Sequence, residues 1–349
     1  MSNEKNLTLK EAFDLAVHNH QNNHLQDAQN YYQKVIKMDP NHLGALNNLG
    51  VTYKNLGQIQ KARDCYEKAI AIVSNHVDAH YNLGNLFQEL GEHQKAKDCY
   101  EKVIVTDSNH VGAHYNLGKL FQKLREHQKA KDCYEKVIVI DSNHVDAHNN
   151  LGIIFKELGE HQKAKDCCEK AIVINPNYVG AHNNLGIIFK ELGELQKAIS
   201  CYEKAIKINP NYADAHNNLG VIYQDFGDFQ KAKNFYEKVI KLEPDHLSAH
   251  KNLGSSLKQE RLLSKIEQAK KSEIKTTISF LKKNYKKTHK SDLKLTPDPF
   301  FSNRKVEAEL ISQLYKINTK KLNDVNPNID PRYGIGRNSD YKLFENNFA

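Results

Sequence analysis

Three groups of side chains in this sequence have the types and spacing for chemistry. His76-Val77-Asp78 and His144-Val145-Asp146 match the His-x-Asp half of a non-haem iron site, where an imidazole and a carboxylate share one metal. The intervening unit has Gly112 where the aspartate would stand, and no third ligand is specified, so no metal is expected. Cys65, Cys99, Cys133, Cys167 and Cys201 recur every 34 residues, with Cys168 as an extra. That interval is neither a zinc-knuckle nor a C-x-x-C spacing. Equivalent positions in stacked units lie too far apart to cross-link, so free thiols in a reducing compartment are expected. Gly334-x-Gly336 is too little for a phosphate loop, since no helix pattern or lysine follows. No catalytic residue and no cofactor is expected. What remains is a row of amides: Asn48, Asn82, Asn116, Asn150, Asn184, Asn218 and Asn252, each directly before a Leu-Gly pair. Asparagine carries a donor and an acceptor at its tip. A regular row of such tips can hold the backbone of an extended peptide whatever its side chains.

The elements that must position this row are read from the same interval. Gly50, Gly84, Gly118, Gly152, Gly186, Gly220 and Gly254 fall 34 residues apart without a slip. A period of that size marks a helical solenoid, in which each unit buries its apolar face against its neighbours. With the glycine as eighth residue, full units run 9–42, 43–76, 77–110, 111–144, 145–178, 179–212 and 213–246, and a partial eighth starts at Leu247. The first unit is divergent, with Ala16 in place of the glycine. In 77–110, Ala79, Leu83 and Phe87 share one helical face, Gly91 marks a helix end, and Ala96, Tyr100, Val103 and Ile104 form a second stripe. Each unit is therefore predicted to be two antiparallel helices. Gly84 and Ala96 allow close backbones while Tyr100 and Phe87 fill the gap between units. Asp39-Pro40, Asn175-Pro176, Asn209-Pro210 and Glu243-Pro244 close their units.

This pattern resembles the tetratricopeptide repeat (TPR) family, on Leu49, Gly50, Tyr53, Ala62, Tyr66 and Ala69 in one unit and Leu219, Gly220, Tyr223, Ala232, Tyr236 and Pro244 in another. The family's tryptophan position holds His80, His114, His148, His182, His216 and His250 here. The resemblance implies an all-α, right-handed superhelix of seven full repeats plus a partial eighth, whose first helices line an inner groove. It also implies a protein that binds peptides or partner domains without chemistry of its own. The asparagine row resembles the ladder in the TPR superhelix of O-linked N-acetylglucosamine transferases. Duplication alone is the other reading, since units 77–110 and 111–144 share EHQKAKDCYEKVIV.

Around the row the expected groove changes along its length. Tyr81 and Tyr115 precede the asparagine in two units; Lys156 and Lys190 stand one turn after the glycine in two others. Ile153 and Ile187 predict an apolar patch. The array is neutral, with 31 basic and 31 acidic residues in 1–259, which argues against specific nucleic-acid binding. No apolar stretch reaches membrane-span length and the N-terminus lacks a secretory signal, so a cytoplasmic protein without a membrane span is expected. Many partly buried histidines predict acid sensitivity.

The expected domains are a lead-in at 1–8, the array at 9–260, a basic helix at 261–290, and a linker, short helix and irregular tail at 291–349. Eight lysines face Glu273 in 270–290, and Ile266, Ile274 and Ile278 give an apolar stripe. The segment reads either as a cap for the last repeat or as a contact for an acidic partner. RYGIGRNSDYKLFE faintly resembles the lead-in to a second domain in some bacterial TPR proteins. That makes the alternative function a substrate-binding arm for a glycosyltransferase or 2-oxoglutarate-dependent oxygenase whose catalytic domain is missing or supplied in trans. Two positions depart from the repeat: Cys168 stands where Tyr134 and Tyr202 place a ring, and Arg125 stands where Gly57, Gly91, Gly159, Gly193 and Gly227 end the first helix.

Overall fold

Residues 7–288 are described in the computed structural model. Each unit folds as a helical hairpin: α1 (Leu9–Gln21) with α2 (Leu25–Met38), α3 (Leu43–Asn55) with α4 (Ile59–Ile72), and α5 (Val77–Glu89) with α6 (His93–Thr106). Then come α7 (Val111–Lys123) with α8 (His127–Ile140), α9 (Val145–Glu157) with α10 (His161–Ile174), α11 (Val179–Glu191) with α12 (Leu195–Ile208), and α13 (Ala213–Asp225) with α14 (Phe229–Leu242). A longer helix, α15 (Leu247–Thr288), follows. Each second helix packs on its own first helix, and α2, α4, α6, α8, α10 and α12 also pack on the first helix of the next unit. Successive first helices also touch (α1–α3, α3–α5, α5–α7, α9–α11, α11–α13), whereas no pair of second helices packs as closely among the described residues. The first helices therefore line the tighter, inner side of the array.

Helix starts are set by an unusual cap. The Nδ1 atoms of His42, His76, His110, His144 and His246 accept the backbone N–H of Ala45, Ala79, Ala113, Ala147 and Ala249 at 3.0–3.2 Å. The imidazole lone pair takes the place of the usual serine or aspartate oxygen. These lone pairs are thus committed to helix ends, and Asp146 accepts the Tyr178 hydroxyl at 2.6 Å. The His-x-Asp pairs are capping and turn residues. At the first helix the job falls to Thr8, whose hydroxyl accepts from Glu11 N–H at 3.2 Å while Glu11 Oε2 accepts the Thr8 N–H at 2.8 Å. The second histidine row donates Nε2–H to the carbonyls of Ser74, Ser108, Ser142, Pro176, Pro210 and Pro244 at 2.8–3.0 Å, tying each first helix to the turn before it.

First helices stop in a left-handed turn. Gly57, Gly91, Gly159, Gly193 and Gly227 have φ between +73° and +77°, and Arg125 holds +59° in the same place. In the Arg125 turn, Arg125 N–H donates to Gln122 C=O at 3.0 Å and Glu126 N–H to Phe121 C=O at 2.9 Å, the paired closing bonds of a Schellman end. The arginine conforms to the turn and leaves its hydrogen bonds intact. Asn23 takes the position in the first unit at φ +59°, as a residue that tolerates this region. Asp39, Asp107, Asp141, Asn175 and Asn209 then close the units by accepting the N–H two residues on at 3.0 Å.

Between the two helices the glycine is matched to a ring. A Cβ on Gly84 or Gly118 would stand 2.8 Å from the Tyr100 or Tyr134 ring, and on Gly186 or Gly220 2.5 Å from Tyr202 or Tyr236. All four tyrosines are fully buried. Gly254 has no such partner among the described residues: nothing lies within 4 Å of its Cβ position, and α15 continues past it without a turn. Residues to Ser256 form one compact unit, and Leu257 begins a second. In the second, Leu262, Leu263, Ile266, Ile274 and Phe280 are exposed and Ile278 is half-buried. The linker, short helix and tail expected at 291–349, and the last two residues of the basic stretch, lie outside the described residues.

Candidate peptide-binding groove

All seven asparagines are half-buried on first helices, at the same register. The donors of six of them are already engaged. Asn82 Nδ2 donates to Asn47 Oδ1 at 2.9 Å, Asn184 to Asn149 Oδ1 at 2.8 Å, Asn218 to Asn183 Oδ1 at 3.0 Å and Asn252 to Asn217 Oδ1 at 3.2 Å. Where the preceding unit has tyrosine, the hydroxyl is the acceptor: Asn116 reaches Tyr81 and Asn150 reaches Tyr115, both at 3.3 Å. Asn116 also donates to Asn85 Oδ1 at 2.8 Å. The row is therefore a rail that fastens each unit to the one before. The spacing of 34 carries no sign that position 47 lies against position 82. The Oδ1 atoms of Asn82, Asn116, Asn184, Asn218 and Asn252 accept nothing among the described residues, so the rail presents acceptors rather than donors.

Tyr81 and Tyr115 sit in place, each with its ring on the cap histidine of the following unit, His110 at 4.8 Å and His144 at 4.9 Å between centroids. A Cβ on Gly112 would come within 2.7 Å of the Tyr81 hydroxyl, which accounts for a glycine there. Lys156 pairs with Glu157 at 2.9 Å and reaches Glu191 at 4.0 Å, while Lys190 makes no ion pair among the described residues.

The residue one turn after the glycine decides the state of the buried ring below it. Gln88, Gln122 and Gln224 accept the hydroxyls of Tyr100, Tyr134 and Tyr236 at 2.8–3.0 Å. Lys54 and Lys190 have no acceptor to offer, and the hydroxyls of Tyr66 and Tyr202 are buried without a partner. A lysine row borders the array: Lys95, Lys129, Lys163 and Lys197 lie 5.3–5.4 Å over the rings of Phe87, Phe121, Phe155 and Phe189.

Two hollows interrupt the inner face. One, of about 470 Å³, is lined by Gln88, Lys119, Leu120, Gln122 and Asn150 among others. The other, of about 80 Å³, is lined by Gly152, Ile153, Lys156, Asn184, Ile187 and Ile188, where the sequence predicts the apolar patch.

The thiols are poor nucleophiles. Burial pushes Cys65, Cys99 and Cys201 up to about 11, and Cys133, Cys167 and Cys168 up to about 12. Among the described residues no cluster of three or more His, Cys, Asp or Glu could hold a metal, and no helix is long and apolar enough to cross a membrane.

Comparison with known families matches tetratricopeptide repeat models at residues 14–42, 42–104, 111–144, 145–178, 167–200 and 213–246, and a TPR repeat model at 188–227. No curated protein sequence matches significantly. Among solved structures, a tetratricopeptide repeat protein from Parabacteroides merdae is 19% identical, covering 71% of this chain and 98% of its own, with a TM-score of 0.55. PilF of Pseudomonas aeruginosa is 20% identical over 61% of this chain and 97% of its own, at a TM-score of 0.52. YrrB, described as a TPR protein with an unusual peptide-binding site, is 27% identical over 53% of this chain and 95% of its own, at 0.44.

Proposed function

The chain belongs to the tetratricopeptide repeat family, and from that premise we propose that its array is a non-catalytic scaffold holding an extended peptide, or an extended segment of a partner protein, along the inner face of a right-handed superhelix. One observation carries the reading: the Oδ1 atoms of Asn82, Asn116, Asn184, Asn218 and Asn252 have no partner among the described residues, on the side where first helices meet, while those of Asn48 and Asn150 accept from the neighbouring Asn47 and Asn149. Packed helices are about 10 Å apart and an extended chain rises about 3.3 Å per residue, so each unit spans roughly three peptide residues. Peptide N–H groups can therefore meet an Oδ1 in each unit that leaves one open, through contacts indifferent to side chain. The flanking Tyr81, Tyr115, Lys156 and Lys190 supply what selectivity the rail lacks. A cytoplasmic location suits buried free thiols. The lysine-rich 270–290 stretch gives an acidic partner a second foothold.

The test is selection of random peptides on the full chain, repeated with Asn116, Asn150 and Asn184 changed to alanine. Because these side chains also join units, thermal melts accompany the binding data. A second variant, Val105, Val139 and Val173 to serine, alters residues exposed on second helices. Affinity should fall at least tenfold in the asparagine variant and stay level in the valine one. Binding that survives loss of the asparagines but not of the valines places the ligand on the other face.

A further inference from the structure

The small hollow at Gly152 has a specific origin. In other units a tyrosine ring passes beneath the glycine, and its hydroxyl ends among three groups. Tyr100 donates to Asn85, next to Gly84, and to Gln88, one turn on. Tyr134 donates to Gln122, and its oxygen lies 3.5 Å from Asn150 Nδ2 of the following unit. At the equivalent positions around Gly152, those groups are Ile153, Lys156 and Asn184, and all three line the hollow. The tyrosine that would fill it is absent, since Cys168 stands there, with its Sγ 2.7 Å from the Cβ position of Gly152. The second helix comes nearer at one point, where the Ala164 carbonyl oxygen lies 3.1 Å from that Cβ position, yet space remains toward the groove. Cys167 Cβ is 3.5 Å from that Cβ position, against 3.2 Å for Cys99 and Cys133 in their units.

We propose that this hollow is a binding pocket for one phenylalanine side chain of the bound peptide, which restores from the groove side the ring that the chain itself lacks. The proposal rests on the peptide-groove reading. Ile153, Ile187 and Ile188 provide apolar walls, and the missing ring provides the shape. At about 80 Å³ the pocket is smaller than the ~150 Å³ cavity that encloses a whole benzene, so the ring enters edge-first and stays partly in the groove. Phenylalanine fits better than tyrosine. The position one turn after the glycine is Lys156, and the two other units with lysine there leave their tyrosine hydroxyls buried and unpartnered. An indole exceeds the space.

Toluene and p-cresol at millimolar concentration serve as probes on the full chain, read by thermal shift and by methyl NMR of the isoleucines. Toluene should stabilise the protein and p-cresol should do so less. Cys168→Phe should abolish the effect by filling the pocket from within. Ile187→Lys is the second variant, because Lys119 already occupies that position two units earlier; it should weaken toluene binding at least fivefold. Peptides selected on the full chain should carry phenylalanine at one fixed position and lose tenfold or more in affinity toward Cys168→Phe. No toluene response in the parent protein overturns the pocket. Selected peptides that bind through the asparagine rail but show no aromatic preference, or an aliphatic one, overturn the proposal while leaving the groove reading intact. A toluene response with no peptide recovered overturns the peptide as the source of the ring.

Discussion

Arg125→Gly should stabilise this protein, and the size of the gain follows from a single turn. Arg125 sits at φ +59°, where five other units place glycine. A side chain with a Cβ costs roughly 1–2 kcal/mol in that region. Glycine removes the cost but gains freedom in the unfolded chain, which returns about 0.4–1 kcal/mol. The net expectation is a gain of roughly 0.5–1 kcal/mol. Charge contributes little: the Glu157 carboxyl is held below its ordinary value first by the Lys156 hydrogen bond, and Arg125 comes last among the cations acting on it. Arg125→Ala tests this, since it keeps the strained backbone and discards the guanidinium; it should leave stability nearly unchanged. In an array of this size the glycine variant should raise the thermal midpoint by about 1–3 °C. Hydrogen exchange is the sharper assay, because a solenoid can open at one joint. Amides in 111–144 should exchange faster than those in 145–178 in the parent, and two- to fivefold more slowly once glycine is installed. Uniform exchange, or a glycine variant no more stable than the alanine one, would refute the argument that backbone conformation sets the cost.

Cys168→Phe should raise the thermal midpoint and Cys168→Tyr should raise it less, since the tyrosine hydroxyl would face Lys156; a clear loss in both would mean the seam has repacked around the thiol. Gly186→Ala should cost about 1–3 kcal/mol in denaturant melts, because its methyl would meet the Tyr202 ring at 2.5 Å, whereas Gly254→Ala, with nothing within 4 Å, should be neutral or stabilising. Native-state alkylation of Cys65, Cys99, Cys133, Cys167, Cys168 and Cys201 at pH 8 should be far slower than in urea, as thiols raised to about 11–12 carry little thiolate. Burial lowers the His20 and His114 imidazoles below their ordinary value of 6.5. Below that value the unfolded chain takes up protons that the folded one refuses, so stability should be level above about pH 6.5 and fall as pH drops through and below it; a flat profile from pH 7 to 5 would contradict this.

Much of the fold is written in single residues. The alternation of Gly84 and Tyr100 reads directly as a bump and a gap, because a ring needs a bare backbone to lie on. Arg125 could be singled out for the same reason: glycine recurs only where the backbone demands it. Other features need three dimensions. The asparagine donors are spent on residues 35 positions earlier, a relation set by how one first helix leans on the next and not by any local pattern. The histidines at unit ends look like metal ligands because imidazole serves both roles, and only the Ala N–H at 3.0–3.2 Å shows which one is in use. The hollow at Gly152 was half legible. Cys168 announced a missing ring, but its location beneath Ile153, Lys156 and Asn184 gathers two units into one place. Past Gly254 the absence of any glycine or proline before 288 is what lets α15 run on, a cue that the repeat frame obscured.

The rail has a consequence for how this molecule can change length. Its recurring bonds join a side chain to a partner one period and one residue upstream, and each cap, turn and ring contact closes within a unit or across one seam. Inserting or excising 34 residues at any phase preserves every such bond, so recombination between near-identical stretches such as 77–110 and 111–144 produces a chain that still folds. The quantity altered is reach: one unit more or less shifts the ruler by roughly three peptide residues. Units that have drifted, such as the one with Cys168, then act as graduations, fixing where along the ruler a ligand stops.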